Sequence, residues 1–215
     1  MVRWDLSDEL LGRVLTPYRD NCKYLQRLSM AYVPIGAGVS ADESESSIVA
    51  TGELGIGESC YIDSTGHFNA VEFQICANQI MYAMGAECTR LGLLRAFAAL
   101  DLEGYYERQL PNVLITNVTM VFKKVMNPRR FRGRVQLDRA YLLRERAFWE
   151  CTVSYEDDEG GHPDARVAVR VEHPLPRIAT HERRVADLGR EHDAEEDEAP
   201  MFLLRDDYER YWNPR

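Results

Sequence analysis

The sequence predicts an α+β fold in which one long buried helix is wrapped by a curved antiparallel sheet. Three features carry this expectation. From about Ala70 to Met84, the apolar residues Ala70, Val71, Phe73, Ile75, Cys76, Ala77, Ile80, Met81 and Met84 leave no wide polar face, so the helix must be enclosed. Around it lie β-rich runs, two before and four after. Asp157-Asp-Glu-Gly-Gly161, between the last two runs, has the acidic, glycine-rich chemistry of a hairpin turn.

The elements follow in order along the chain. Ser7-Asp8-Glu9 places a cap and two acids ahead of Leu10, Leu11, Val14, Leu15 and Tyr18, the spacing of an amphipathic helix that stops near Pro17. Extended runs over roughly 28–35 and 48–56 flank a Gly/Ser/acid-rich stretch, 36–47, with the composition of a long exposed hairpin loop. After the central helix, 89–100 reads as a second helix and 101–111 as irregular. Strands are expected over 113–121, 132–142, 147–155 and 166–171. Nothing repeats internally.

From about Pro174 the composition changes. The stretch 183–198 is dense in charge, and Met201-Phe-Leu-Leu204 with Tyr208, Tyr211 and Trp212 then restores apolar content. The expected organisation is one domain over residues 1–175 and a charged linker with a C-terminal docking segment over 176–215. A lid or partner-binding role for that segment stands open beside it.

Composition narrows the function classes. With 215 residues and 45% apolar content, the chain can bury a proper core. A net charge of −9 argues against a nucleic-acid partner, whose footprint would be basic. The five cysteines, Cys22, Cys60, Cys76, Cys88 and Cys151, are scattered, odd in number and without a C-x-x-C pair, so they read as reduced packing residues. No apolar window reaches the ~18 residues of a membrane span, and the N-terminus has no apolar signal core. A cytoplasmic protein without membrane attachment is expected. The histidines outside the central segment lack ligand spacing, so no metal is expected either.

The segment from Ile56 to Asn78 carries the chemistry. It runs from a strand, through a Gly66-His-Phe68 turn, into the apolar helix. His67 therefore stands at the helix mouth, where free backbone N–H groups and the helix dipole favour a developing negative charge. An imidazole there can move protons near neutral pH; a satisfied core histidine is the competing reading. Asn69-Ala-Val-Glu72 has the spacing of a capping box, which by itself accounts for Glu72 and is compatible with a second role. At 100° per residue, Glu72 and Gln79 share one stripe of the helix, and Gln74 and Asn78 share another. Asn78 is either a buried amide satisfying backbone or part of a site. Lys123, Lys124, Arg129, Arg130, Arg132 and Arg134 form a basic cluster that suits phosphates or an acidic carrier protein; solvated strand faces explain it as well.

Ile56-Gly-Glu-Ser59, Tyr61-Ile62 and Ser64-Thr-Gly-His-Phe-Asn-Ala-Val-Glu72 resemble the FcoT-like hot-dog enzymes. The likeness continues at Asn78-Gln79, Tyr82, Phe122, Lys124, Asn127-Pro128 and Phe131, and upstream at Leu10-Leu11, Arg13-Val-Leu15, Pro17-Tyr18, Cys22 and Tyr24-Leu25. It covers roughly residues 8–172. The family contains long-chain acyl-CoA thioesterases and (2E)-enoyl-ACP glycyltransferases. The resemblance implies a hot-dog fold, a homodimer or trimer of dimers, and an acyl thioester carried on CoA or on the phosphopantetheine of an acyl carrier protein, with no other cofactor. It also implies site roles for Tyr61 and Asn78, with Tyr18 and Asn69 nearby. Hot-dog dehydratases share the Gly-His-Phe entrance but place prolines after it and an acid deeper in the helix. Here Asn69 stands at the turn and no carboxylate lies near Asn78–Met81, which disfavours plain dehydration.

The reaction expected first is Michael addition of glycine to a (2E)-enoyl thioester, followed by hydrolysis to an N-carboxymethyl-3-amino acid for secondary metabolism. His67, Glu72, Tyr61 and Asn78 are the candidate catalytic residues. Tyr18, Ser64, Gly66, Asn69, Ala70, Val71 and Lys124 are the candidate substrate contacts. A simple acyl-CoA or acyl-ACP thioesterase using the same residues is the alternative, and an acyl-chain-binding scaffold is the non-enzymatic one. The sequence does not indicate which cation would hold the carboxylate of glycine.

Overall fold

The computed structural model describes residues 2–33, 47–63, 66–94, 100–143 and 146–171. The 36–47 loop up to residue 46 and the charged C-terminal segment lie outside these, as does Ser64. The strands are β1 (Val2–Asp5), β2 (Leu25–Val33), β3 (Ser47–Leu54), β4 (Val113–Phe122), β5 (Phe131–Leu143), β6 (Arg146–Glu156) and β7 (Pro163–Val171). The helices are α1 (Asp8–Val14), α2 (Ala70–Leu91) and α3 (Leu102–Arg108), with a 3-10 turn at Asp20–Cys22. All seven strands join one antiparallel sheet in the order β1-β2-β3-β5-β6-β7-β4, and α2 packs against its concave face. This is the hot-dog arrangement.

Each boundary has a local cause. Ser7 Oγ accepts the Leu10 N–H and caps α1, which ends at Leu15, two residues before Pro17. Asp157 closes the β6–β7 hairpin by accepting the N–H groups of Glu159 and Gly161 on one carboxylate oxygen and that of Asn127 on the other, at 3.0, 2.7 and 2.6 Å. Burial raises its pKa, but these three backbone donors outweigh burial and hold it below the usual carboxylate range.

Three sequence expectations need correction. The central helix does not stop at Met84 but runs on as α2 to Leu91, ending at Gly92 in the left-handed conformation, with Leu93 N–H returning to Cys88 O at 2.9 Å. Thr89–Leu91, expected to open a second helix over 89–100, are therefore the last turn of the first, and residues 95–99 of that stretch lie outside the described residues. Gly85, a weak helix former, stands there because a Cβ would collide with Tyr105 Oη and meet Trp149 at 2.8 Å. The stretch 101–111, read as irregular, holds α3, capped by Asp101 accepting the Gly104 N–H at 2.7 Å. β1 was not anticipated; it is a four-residue edge strand with mostly exposed residues.

The sheet can wrap α2 because two glycines face each other across β3 and β5. Gly52 pairs with Gly133, and Ile80 of α2 fills the space where side chains would stand. Phe68, Phe73, Phe131 and Tyr155 form an aromatic cluster with centroid separations of 4.7–6.1 Å, tying the chain entering α2 to β5 and β6. Gln79, fully buried, accepts the Tyr24 and Leu25 N–H groups at 3.0 and 2.9 Å and donates to Cys22 O, fastening the start of β2 to the helix.

Gly133→Val should lower stability by about 2–3 kcal/mol through overpacking against Ile80 and Tyr155. A reduced urea midpoint at unchanged slope would show it; an unchanged midpoint would contradict the close-approach argument.

Candidate active site at the mouth and uncovered stripe of the central helix

The segment between β3 and α2 is pinned from below. Ile56 N–H donates to Pro128 O at 2.8 Å, Cys60 N–H to Tyr24 Oη at 3.0 Å, and Phe68 N–H to Met126 O at 3.0 Å. Gly66 has φ 78°, the left-handed conformation that favours glycine. Between that turn and the buried Phe68 sits His67, which is exposed. It is not the core histidine that was one reading of the sequence.

The helix begins with a complete capping box. Asn69 Oδ1 accepts Val71 N–H at 3.0 Å, Glu72 N–H at 3.2 Å and the Tyr61 hydroxyl at 2.8 Å, while Glu72 Oε2 accepts the Asn69 N–H at 3.3 Å. Phe73 N–H is taken by Asn69 O. The sequence led us to expect free donors across Asn69–Val71. Among the described residues, the first turn keeps only the Ala70 N–H uncommitted, and Ala70 is exposed. Glu72 is 3% exposed and faces inward toward Cys76, so its carboxylate works as part of the cap.

Beyond the mouth, α2 is not enclosed all round as its composition implied. Val71 is exposed, and Gln74, Ile75, Asn78 and Tyr82 are half-buried; at helical spacing these lie on one stripe. Gln74 Nε2 donates to Asn78 Oδ1 at 2.8 Å, as their shared face allows. Tyr18 stands beside this stripe. Burial raises its pKa above the ordinary phenol value, with Tyr82, Cys76 and Cys22 adding to the effect; burial also raises that of Tyr82. Both hydroxyls are therefore protonated donors at neutral pH. On the other flank, Asn78, Met81 and Tyr82 meet Val113 and Ile115 of β4 in a narrow crevice.

The predicted residues thus divide into two groups. His67, Gly66, Tyr61, Asn69, Ala70, Val71 and Glu72 assemble at the mouth. Asn78 lies about 12 Å further along the helix axis than Ala70, bonded to Gln74. Ser64 falls outside the described residues. Lys124 borders an open groove of about 600 Å³ with Ile56, Gly57, Gly66 and Arg129, and its Nζ donates to Glu159 O. Gln74 and Tyr82 were not singled out as site residues. Their positions on the Asn78 stripe, four residues to either side, were the available signal. Cys22 and Cys76 are poor nucleophiles: burial pushes the Cys22 thiol up to about 11 and the Cys76 thiol well above its ordinary value. No group of three or more metal-ligating side chains occurs among the described residues, and no helix among them is long and apolar enough to cross a membrane.

Asn69→Ala should cost about 1–2 kcal/mol by uncapping α2, whereas Asn69→Ser, which keeps a capping oxygen, should stay close to the wild type. Thermal unfolding of both variants tests this, and equal losses would contradict it.

A profile of the FcoT-like thioesterase domain matches residues 13–171. A (2E)-enoyl-ACP glycyltransferase of Streptomyces coeruleorubidus is 39% identical over 132 residues, covering 61% of this chain and 73% of that one. Proteins of the same name from Mycobacterium tuberculosis and Mycobacterium marinum are 37% and 32% identical, covering 73% and 75% of this chain and 81% and 84% of theirs. The matched span takes in the end of α1, the helix mouth and every strand from β2 to β7. The chain belongs to the FcoT-like thioesterase family.

Proposed function

We propose that this protein adds glycine to a (2E)-enoyl thioester and then hydrolyses the product thioester. The observation that carries this reading is the agreement between relatives named (2E)-enoyl-ACP glycyltransferase at 32–39% identity and a helix mouth whose exposed residues include His67 and, three positions on, Ala70 with its N–H uncommitted among the described residues.

In the proposed addition, His67 takes a proton from the ammonium of glycine. The freed nitrogen lone pair forms the bond to Cβ, and the π electrons move through Cα onto the carbonyl oxygen. The Ala70 N–H receives that enolate oxygen. The proton returns to Cα as the carbonyl re-forms. Water then attacks the thioester carbonyl with His67 as base, and the pantetheine thiol leaves with a proton. Asn69 and Glu72 serve by holding the mouth in shape. The Tyr61 hydroxyl, with its proton committed to Asn69, turns oxygen lone pairs outward and orients the substrate.

The acyl chain would run from the mouth along the uncovered stripe, past Ile75. Lys124 and Arg129, on the groove beside Gly66, would face the carrier: an acyl carrier protein, given the names of the relatives, or a CoA thioester. The subunit would pair with a second copy through β4. Among the described residues that strand bonds only β7; it is ten residues long and exposes Leu114, Ile115, Val121 and Phe122, and such an edge calls for cover. Light scattering should give at least a dimer, and a monomer at micromolar concentration would refute the pairing.

The deciding assay offers a 2-enoyl-ACP with and without glycine and reads the released acid by mass spectrometry. Acid heavier by one glycine is expected, and His67→Ala should lower its formation at least 100-fold. Unmodified acid at equal rates in both tubes would leave a plain thioesterase. Binding of the acyl-ACP without turnover would leave a scaffold.

A further inference from the structure

The connection from β4 to β5, residues 123–130, forms a platform against the helix mouth. Its exposure alternates: Met126 and Pro128 are buried, while Val125, Asn127 and Arg129 are exposed. The buried pair supplies the two carbonyls that hold the segment leading to α2, Met126 O for Phe68 N–H and Pro128 O for Ile56 N–H. The β6–β7 hairpin fixes the platform from the other side. Asp157 takes the Asn127 N–H, Asn127 Oδ1 takes the Arg129 N–H at 3.0 Å, and Gly161 packs so closely that a Cβ would meet Met126 Cα at 2.6 Å. The exposed side chains are thus presented on fixed backbone, beside the turn that carries His67.

Two properties of this platform are not explained by packing. Val125 is 74% exposed, more than any other large apolar side chain among the described residues. A lone exposed valine needs no explanation, but this one lines the groove of about 600 Å³ that also holds Lys124, Arg129 and Gly66. The second property is charge: residues 123–134 carry six cations and no acid. Lys123 is spent within the hairpin, paired with Asp164, which His162 also reaches at 2.9 Å. Lys124 gives one of its three hydrogens to Glu159 O, and the Glu159 carboxylate, the one acid in the groove, accepts the Asn127 amide at 3.4 Å. Arg129 and Arg130 are exposed and have no ion pair among the described residues.

We propose that this platform is the docking surface for an acidic acyl carrier protein, with Val125 as the apolar anchor and Lys124, Arg129 and Arg130 as the charged ring around it. The inference rests on the carrier-thioester part of the function proposed above and deepens it, by selecting a protein carrier over CoA. CoA brings phosphates for the cations but no aliphatic side chain for Val125. A second copy of this chain laid across a two-fold axis would set the same cations against themselves near that axis. An acidic surface with an apolar side chain among its acids matches both features: the cations steer the encounter, and the anchor holds the complex. Between platform and mouth the groove wall is bare backbone at Gly57 and Gly66, where a Cβ would meet no atom within 4 Å. That leaves room for a pantetheine arm to run from the docked carrier to His67.

The test compares thiol release from one 2-enoyl group carried on ACP, on CoA and on pantetheine alone. Wild-type protein should show a KM for the ACP substrate at least ten-fold below that for the pantetheine thioester. Val125 lies outside the core, so its variants keep the fold. Val125→Glu should raise the ACP KM at least ten-fold and Val125→Ser several-fold, with kcat and the pantetheine thioester unchanged. Arg129→Glu should also raise the ACP KM and flatten its dependence on salt. Equal wild-type KM values for ACP and pantetheine overturn the docking surface. So does an unchanged ACP KM in both Val125 variants, or an equal loss by Val125→Ser on all three substrates. An oligomer that falls apart in Val125→Glu, read by light scattering, assigns the surface to a second copy and overturns the proposal as well. If wild-type protein releases no thiol from any substrate, the proposed function falls, and fluorescence anisotropy with labelled 2-enoyl-ACP then reads docking separately. Binding that weakens in Val125→Glu supports the surface, and no binding by wild type overturns it.

Discussion

The oxygen of one side-chain amide, Asn69 Oδ1, receives the Val71 and Glu72 N–H groups and the Tyr61 hydroxyl, and the rest of the site is arranged around that point. By accepting two of the helix's orphan donors, it fixes where α2 begins. By accepting the third, it fixes the strand-to-helix segment on which His67 rides. Glu72 closes the box from the other side. The cost is that the helix dipole can act through few amides. Most of the N–H groups that would make this terminus a general anion site are consumed, and what remains is a single direction of donation at Ala70. A narrowly aimed donor suits a charge that develops on one oxygen better than a broad nest would.

The sheet supplies the complementary constraint. Its curvature over α2 depends on Gly52 and Gly133 letting Ile80 approach the strands, and on Gly85 letting Tyr105 and Trp149 approach the helix. Three sides of α2 are filled in this way. The fourth, from Val71 through Ile75 and Asn78 to Tyr82, is left between Tyr18 and β4. A helix about 33 Å long with one open stripe is a cradle for an extended chain, and the polar atoms on that stripe are few and placed.

Much of this was legible in local sequence because its causes are local. The Ser7 cap, the Asn69–Glu72 box, the Gln74–Asn78 pairing and the Glu159 and Gly161 bonds of the Asp157 turn each depend on residues within five positions of one another, so spacing alone indicated them. What escaped depends on distant contacts. Gly85 reads as a helix breaker until Tyr105 and Trp149 are seen beside it. Gln79 reads as an odd buried polar residue until the backbone of Cys22, Tyr24 and Leu25, more than fifty positions away, is seen to use every one of its polar atoms. Tyr18 and Tyr82 cannot be paired by spacing at all, although each lies within the resemblance to the family. The helix composition also misled in one respect: apolar residues nearly all round suggested full enclosure, whereas the open stripe is itself largely apolar, as a surface for an acyl chain would be.

That apolar stripe bears on how the proposed site handles charge. A cation placed midway along it would suffer desolvation with no partner until substrate arrived, and a buried unpaired charge is among the most costly features a fold can carry. At the mouth, the proposed reaction would likewise set a backbone N–H and not a lysine against the developing enolate. The formal positive charge sits outside, at Lys124 and Arg129, where water solvates it and where an acidic carrier would approach. In a chain with a net charge of −9, long-range electrostatics alone would repel an acidic partner. The basic rim beside Gly66 therefore has to act locally, within about the 8–10 Å over which salt leaves a charge visible. Placing it at the door would confine that attraction to an encounter in which the acyl thioester already points at His67.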